Sequence, residues 1–189
     1  MVIDIREEAP SALAEYARIP TAFEVERVLD LTLVDAGLRG LELRERQLTA
    51  PYTKDYDAIA GNAPVDWARR FDVSRWGVLS AHVDGQRIGG AVIALETSGL
   101  DLLWDLRVAP SMRGRGAGSR LFAAAVDWAH ARGCTRLAVE TQNVNVPACR
   151  FYAGRGCELG SVRRFAYPEL PQEIQLIWYK DLRGRRSEA

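Results

Sequence analysis

The stretch RVAPSMRGRGAGSRL, residues 107–121, sets Gly114, Gly116 and Gly118 among Arg113, Arg115 and Arg120, between two apolar segments. On its N-terminal side LLWDLRV (residues 102–108) reads as a strand. On its C-terminal side Leu121, Ala124, Ala125, Trp128 and Ala129 recur at helical spacing, so a helix opens at Gly118. A flexible linker would not be bracketed so closely by core-forming sequence. Glycines at a helix start let a ligand reach the free backbone N–H groups without meeting a Cβ, and the helix end carries partial positive charge. With Arg113 and Arg115 beside them, they suit a diphosphate. The segment lacks the Gly-Lys-Ser/Thr of a nucleotide P-loop. It also lacks the spacing and early βαβ position of a dinucleotide fold.

Working outward, WGVLSAHV and RIGGAVIALE flank Asp84-Gly85, a hairpin signal. Gly133 stops the helix, RLAVETQ (residues 136–142) is the next strand, and Pro147 sits in the first turn of a helix ending at Gly154 to Gly156. EIQLIWYK is a last strand. Upstream, residues 11–18 read as a short helix, AFEVERVLDLTLV and LELRERQL as strands, APYTKDYDAIAGNAP as a loop and PVDWARRFDVS as a short helix. The sum is an α/β (α+β) chain with a mixed sheet and helices on its faces. One domain is expected over residues 1–182, with its core at about 77–180. Residues 183–189 read as a frayed polar tail.

Composition narrows the function. The 189 residues carry 25 Lys+Arg and 25 Asp+Glu, a formal net charge of zero, which argues against a general nucleic-acid binder. No apolar run reaches membrane-spanning length, and the acidic N-terminus does not read as a secretory signal. Cys134, Cys149 and Cys157 are odd in number and lack metal-ligand spacing, so the chain reads as cytoplasmic with reduced thiols. His82 and His130 have no acid or cysteine at ligand spacing, so no metal is expected.

Arg113-x-x-Gly116-x-Gly118 after LRVAP resembles the pyrophosphate loop of the GNAT superfamily of N-acetyltransferases. In ETQNVNVPACRFYAGRGCELG, Asn145, Ala148, Tyr152 and Gly156 resemble the second half of that family's core; Cys157 departs from its usual aromatic. ETQNVNVPAC, the Phe151-Tyr152 pair and the run from Tyr167 to Glu173 look most like the streptothricin acetyltransferase branch. The resemblance implies a GNAT fold, with a mixed, mostly antiparallel central sheet and a splayed acetyl-CoA cleft. It further implies direct acetyl transfer from acetyl-CoA to a primary amine of a small cationic acceptor.

The chemistry then sets the residues. A lysine-like amine with pKa about 10.4 costs about 4.6 kcal/mol to deprotonate at pH 7, so a proton acceptor and a negative surround are needed. Asp105 and Glu140 each interrupt an apolar strand and are the candidate bases; a salt bridge to Arg107 or Arg136 is the alternative for both. By the resemblance, Tyr152 donates a proton to the departing thiolate. The backbone of Leu106, Arg107 and Val108 pairs with pantetheine, and the N–H groups of Arg113, Gly114, Arg115, Gly116, Ala117, Gly118 and Ser119 hold the pyrophosphate. Asn145 binds the pantetheine arm or fixes a turn. Trp104 stands where relatives often carry a second acid and offers an aromatic wall; Tyr56, with Tyr52 and Asp57, is a candidate for the acceptor lid. Cys149 reads as core packing. A polyamine, an aminoglycoside or a protein amine as acceptor stays open, as do a non-catalytic acyl-CoA-binding module and a homodimer through IQLIWYK.

Overall fold

The computed structural model describes residues 1–95 and 100–183. Strand β1 (Asp4–Glu8) is followed by a 3-10 turn (Pro10–Ala12) and helix α1 (Leu13–Tyr16). Next come β2 (Phe23–Leu33), β3 (Leu41–Lys54), α2 (Pro64–Arg70), β4 (Gly77–Val83), β5 (Gln86–Ala94) and β6 (Leu100–Val108). Helix α3 (Ala117–Ala131), β7 (Arg136–Gln142), α4 (Val146–Ala153), β8 (Glu158–Arg163) and β9 (Gln175–Asp181) complete the chain. It forms two compact units, each discontinuous in sequence. One holds Met1–Ala22, Asp55–Val139 and the chain from Lys180; the other holds Phe23–Lys54 and Glu140–Tyr179.

In the first unit β1, β4, β5, β6 and the start of β7 lie side by side in that order. The first three pairings are antiparallel and β6 with β7 is parallel, so the sheet is mixed, as expected. Asp84 and Gly85 both take positive φ, 49° and 78°, as the hairpin turn requires. Helix α3 presents Leu121, Phe122, Ala125, Val126, Trp128 and Ala129 as its buried stripe. Full burial of side chains such as Leu121 and Phe122 contributes about 1.5–3 kcal/mol each. A second apolar layer joins Leu13 and Tyr16 of α1, Trp67 of α2, and the sheet residues Val78 and Val92. Gly90 allows this: a Cβ there would stand 2.5 Å from the Tyr16 ring.

One irregularity decides the site. The β5–β6 register runs Val92↔Asp105 and then Ile93↔Leu103, so Trp104 is an extra residue, a β-bulge. Side chains on a regular strand alternate between faces, and a bulge breaks the alternation. Here the consecutive residues Trp104 and Asp105 both turn toward the layer around Tyr16: Trp104 packs against that cluster, and Asp105 is bound to Arg107, whose guanidinium lies 4.8 Å from the Tyr16 ring centroid.

In the second unit β2 and β3 form an antiparallel ribbon, β8 and β9 an antiparallel pair, and Val25, Val28 and Val144 a small core. Asn143 ties the pieces together. Its side chain donates to the Leu29 carbonyl at 3.1 Å and accepts from the Ile174 N–H at 2.8 Å.

Several expectations need correction. The segment read as a loop from residue 50 is strand as far as Lys54, because it pairs with Phe23, Glu24 and Val25. Pro51, which has no N–H to give a ladder, lies where the ribbon register shifts between Val25↔Tyr52 and Arg27↔Gln47. Helix α3 opens at Ala117, one residue before Gly118, with Gly116 as its left-handed cap. Strands β1 and β8 were not expected. Apart from Arg183, the predicted fraying tail lies outside the described residues. Among the described residues no helix is long and apolar enough to cross a membrane.

Candidate active site

The glycine segment keeps its backbone open. After β6 the chain makes a 3-10 turn (Pro110–Met112), then passes Gly114 at φ 73° and Gly116 at φ 89° into α3. No side chain caps the helix, and a Cβ added at Gly114 or Gly116 would meet nothing within 4 Å. The first N–H groups of a helix have no acceptor within it, so Ala117 and Gly118 present donors beside a positive helix end. That arrangement fits the diphosphate of acetyl-CoA. The Arg113 side chain is engaged elsewhere. Its guanidinium donates to the carbonyls of Val108 at 3.2 Å and Ala22 at 3.1 Å. Its N–H approaches the Pro110 carbonyl at 3.3 Å, which leaves the loop beyond it, from Gly114, as the open part. Arg115 is exposed.

On β6, Leu106, Arg107 and Val108 pair on one side with Ala91, Gly90 and Gly89. The Arg107 side chain is the hub of the first unit. It is 3% exposed, lies 4.8 Å from the Tyr16 ring centroid, and donates to the Ile19 carbonyl at 3.0 Å. It grips Asp57 through two bonds, of 2.9 and 3.2 Å, and Asp105 through its Nε at 2.9 Å and through its Nη2. Asp57 is itself fixed, its N–H donating to the Asp55 side chain at 3.0 Å. Two carboxylates share one guanidinium. Burial pushes the Asp105 carboxyl above its usual range; Arg107 pulls the other way without cancelling it, and Asp57 adds to the rise. The same carboxylates and burial act on Arg107, whose guanidinium is held firmly in its charged form.

Trp104 lies against Phe71 and Trp76, with ring centroids 4.9 and 5.1 Å away, so its indole belongs to an aromatic group spanning α2 and β6. Tyr56 is half-buried, its carbonyl accepting from the Asn62 side chain at 2.9 Å. Asp57 is bound to Arg107.

In the second unit Asn145 caps α4, its Oδ1 accepting from the Ala148 N–H at 3.2 Å. This is the turn-fixing alternative expected for it. Tyr152 is buried on α4, its ring edge-on to Phe151 at 5.0 Å. Cys149 is buried on α4, as core packing requires. Its sulfur lies 3.3 Å from the Thr141 hydroxyl, and burial pushes the thiol up, away from a reactive thiolate.

Glu140 differs from Asp105. It is exposed, and among the described residues it makes no ion pair with Arg136 or any other cation. Its Oε1 accepts from the Tyr167 hydroxyl at 2.6 Å and the Gln142 amide at 3.2 Å, and its Oε2 accepts from the Gln175 amide at 2.6 Å. In the sequence Tyr167 shows only as part of a motif, and Gln175 and Tyr16 do not show as site residues at all. Nothing in a single polar residue of β9 signals which carboxylate it will meet.

The mixed sheet and the uncapped glycine loop leading into α3 agree with the fold that the sequence resemblance implies for a CoA-dependent acetyltransferase. The chain belongs to the Acetyltransferase (GNAT) family, whose pattern matches residues 40–157. It is an N-acetyltransferase that takes its acetyl group from acetyl-CoA. It is similar to a streptothricin acetyltransferase of Escherichia coli, 31% identical over 173 residues, which are 90% of this chain and 91% of that one. A crystal structure of nourseothricin acetyltransferase, 24% identical, shares the fold with a TM-score of 0.78 over 96% of this chain and 99% of the other. A Bacillus anthracis structure in complex with acetyl coenzyme A, provisionally assigned as a streptothricin acetyltransferase, is 27% identical. Its TM-score is 0.76 over 95% of this chain and 99% of that one.

Proposed function

We propose that this chain acetylates a primary amine of a streptothricin-type antibiotic, as one catalytic domain over residues 1–182 acting in the cytoplasm. The observation that carries the reading is the 31% identity to the Escherichia coli streptothricin acetyltransferase, which extends over 90% of the chain and so reaches beyond the family core. Three free cysteines, all buried, suit a reducing compartment.

Acetyl-CoA supplies the activated acetyl group. The N–H groups from Gly114 to Ser119 bind its pyrophosphate, and the backbone of Leu106, Arg107 and Val108 aligns its pantetheine arm. Asn145 holds the start of α4, which carries Tyr152. The acceptor arrives as an ammonium ion and is drawn by carboxylate charge. Glu140 or Asp105 receives its proton, directly or through water; Asp105 has the raised affinity for a proton that such a base needs. Trp104 and Tyr56 border the acceptor. The Tyr152 hydroxyl gives its proton to the departing thiolate, whose conjugate acid has pKa about 8.5 by analogy with cysteine.

The test is acetyl-CoA-dependent thiol release with streptothricin, lysine, spermidine and an aminoglycoside, the product identified by mass. Fast release with streptothricin and a product heavier by one acetyl group supports the reading. Release with another amine alone reassigns the acceptor. Saturable CoA binding without turnover on any of them points to an acyl-CoA-binding role.

A further inference from the structure

The two candidate acids are built for different work, and the segment joining β8 to β9 makes the difference. Asp105 shares Arg107 with Asp57, so its charge is largely answered from within the protein. Among the described residues Glu140 is held only by neutral donors. Three of them, Tyr167, Gln142 and Gln175, occupy three of the roughly four lone-pair positions of a carboxylate, and the vacant one is on Oε2. Such a group is fixed in place, with no cation paired to it among the described residues and one acceptor position left over.

Tyr167 lies within the β8–β9 connection and Gln175 opens β9, and each grips one oxygen of the same carboxylate. The connection is stiffened between them. The Leu170 N–H bonds the Tyr167 carbonyl at 3.0 Å and the Glu173 N–H bonds the Leu170 carbonyl at 2.9 Å. Glu173, 3% exposed, forms an ion pair with Lys54 at 2.5 Å, and Ile174 is bound to Asn143. Gln175 therefore follows two anchored residues.

We infer that Tyr167 and Gln175 are positioning residues which hold Glu140 as an uncompensated, solvent-facing carboxylate for the ammonium group of the acceptor. Glu140, rather than Asp105, is then the residue that selects a cationic amine. This rests on the proposed transfer to a cationic acceptor, but its test does not need turnover.

The experiment is calorimetric binding of streptothricin and of spermidine, with and without CoA. The proteins are the wild type, Glu140→Gln, Tyr167→Phe, Gln175→Met and the double variant Glu140→Gln/Tyr167→Phe. CoA affinity and melting temperature serve as controls for folding. The expected result is about 10-fold or greater weakening in Glu140→Gln and about 3- to 10-fold in each positioning variant, the range that loss of one charge-assisted bond allows. Tyr167→Phe should add nothing in the Glu140→Gln background, because its effect passes through the carboxylate. A merely structural Tyr167 would weaken both backgrounds equally, and that result overturns the inference. So does cation binding that is unchanged in Glu140→Gln, or absent from the wild type. If the cations bind as expected and no acetyl group is transferred, the proposed function fails while the cation site stands.

Discussion

Replacing Arg107 by Met tests the hub of the first unit most directly. The substitution keeps an unbranched side chain of similar reach and removes the guanidinium. Five interactions go with it: two to Asp57, two to Asp105 and one to the Ile19 carbonyl. Two carboxylates are left side by side. Removing one partner of a buried ion pair costs about 3–5 kcal/mol. Asp57 and Asp105 keep 22% and 17% of their side-chain surface exposed, so water recovers part of this, and the lower half of the range, about 3–4 kcal/mol, is expected. At roughly 2–4 °C per kcal/mol for a chain of this size, melting falls by roughly 6–16 °C. The pH dependence carries the sign. In the wild type the Asp105 carboxyl already titrates above its unfolded value, so the native state binds the extra proton and stability drains away as pH rises through that interval. Without Arg107 nothing opposes burial or the repulsion from Asp57, and the interval widens upward. The deficit of Arg107→Met relative to wild type is therefore greater at pH 8 than at pH 5, and Arg107→Met/Asp105→Asn recovers part of it. Calorimetric melts of the three proteins at both pH values check this. A deficit below about 2 °C, less than 1 kcal/mol of lost interaction would give, or one equal at the two pH values, would refute the coupling of Arg107 to these carboxylates.

Tyr152→Phe should lower kcat by about 100-fold or more with little change in the KM for acetyl-CoA, as loss of an acid that acts late requires; initial-rate kinetics separate the two. Gly116→Ala forces a Cβ into a left-handed cap, costing about 1–2 kcal/mol in a thermal melt. It should also raise the KM for acetyl-CoA, since Gly116 is the left-handed cap of the helix whose first N–H groups are proposed to hold the pyrophosphate. Cys149→Ser should keep activity, and in the wild type this buried thiol, its pKa pushed up, should react with iodoacetamide at pH 8 far more slowly than free cysteine, by mass spectrometry.

Much of the first unit could be read from the chain. The hairpin at Asp84-Gly85, β6, α3 and its glycine loop all showed themselves because local propensity and burial agree there. The β2–β3 ribbon was seen only in part. Its solvent-facing residues carry little apolar contrast, and Pro51 hides a strand that tolerates it at a register shift. The bulge at Trp104 was out of reach, since it is a relation between β5 and β6 rather than a property of either. So was the joining of Asp57 to Arg107, which are 50 residues apart in sequence. Asp105 and Glu140 were both noticed as charges inside apolar strands. Only their partners, an arginine for one and neutral donors for the other, distinguish them.

The chain leaves the first unit at Ala22 and returns at Asp55, and the two ends of this excursion are stapled. The Thr21 hydroxyl bonds Asp55 at 2.9 Å, and Arg113 holds the Ala22 carbonyl. With the ends fixed, closure is nearly indifferent to what lies between them, each doubling of loop length costing about 0.6 kcal/mol. The tip of the excursion, around Val34–Gly37, contains Asp35 and Ala36 at positive φ and is followed by Leu38, 86% exposed. An enzyme engineer would therefore splice an epitope or a fluorescent reporter there, and the protein engineered in this way should keep both its melting temperature and its turnover.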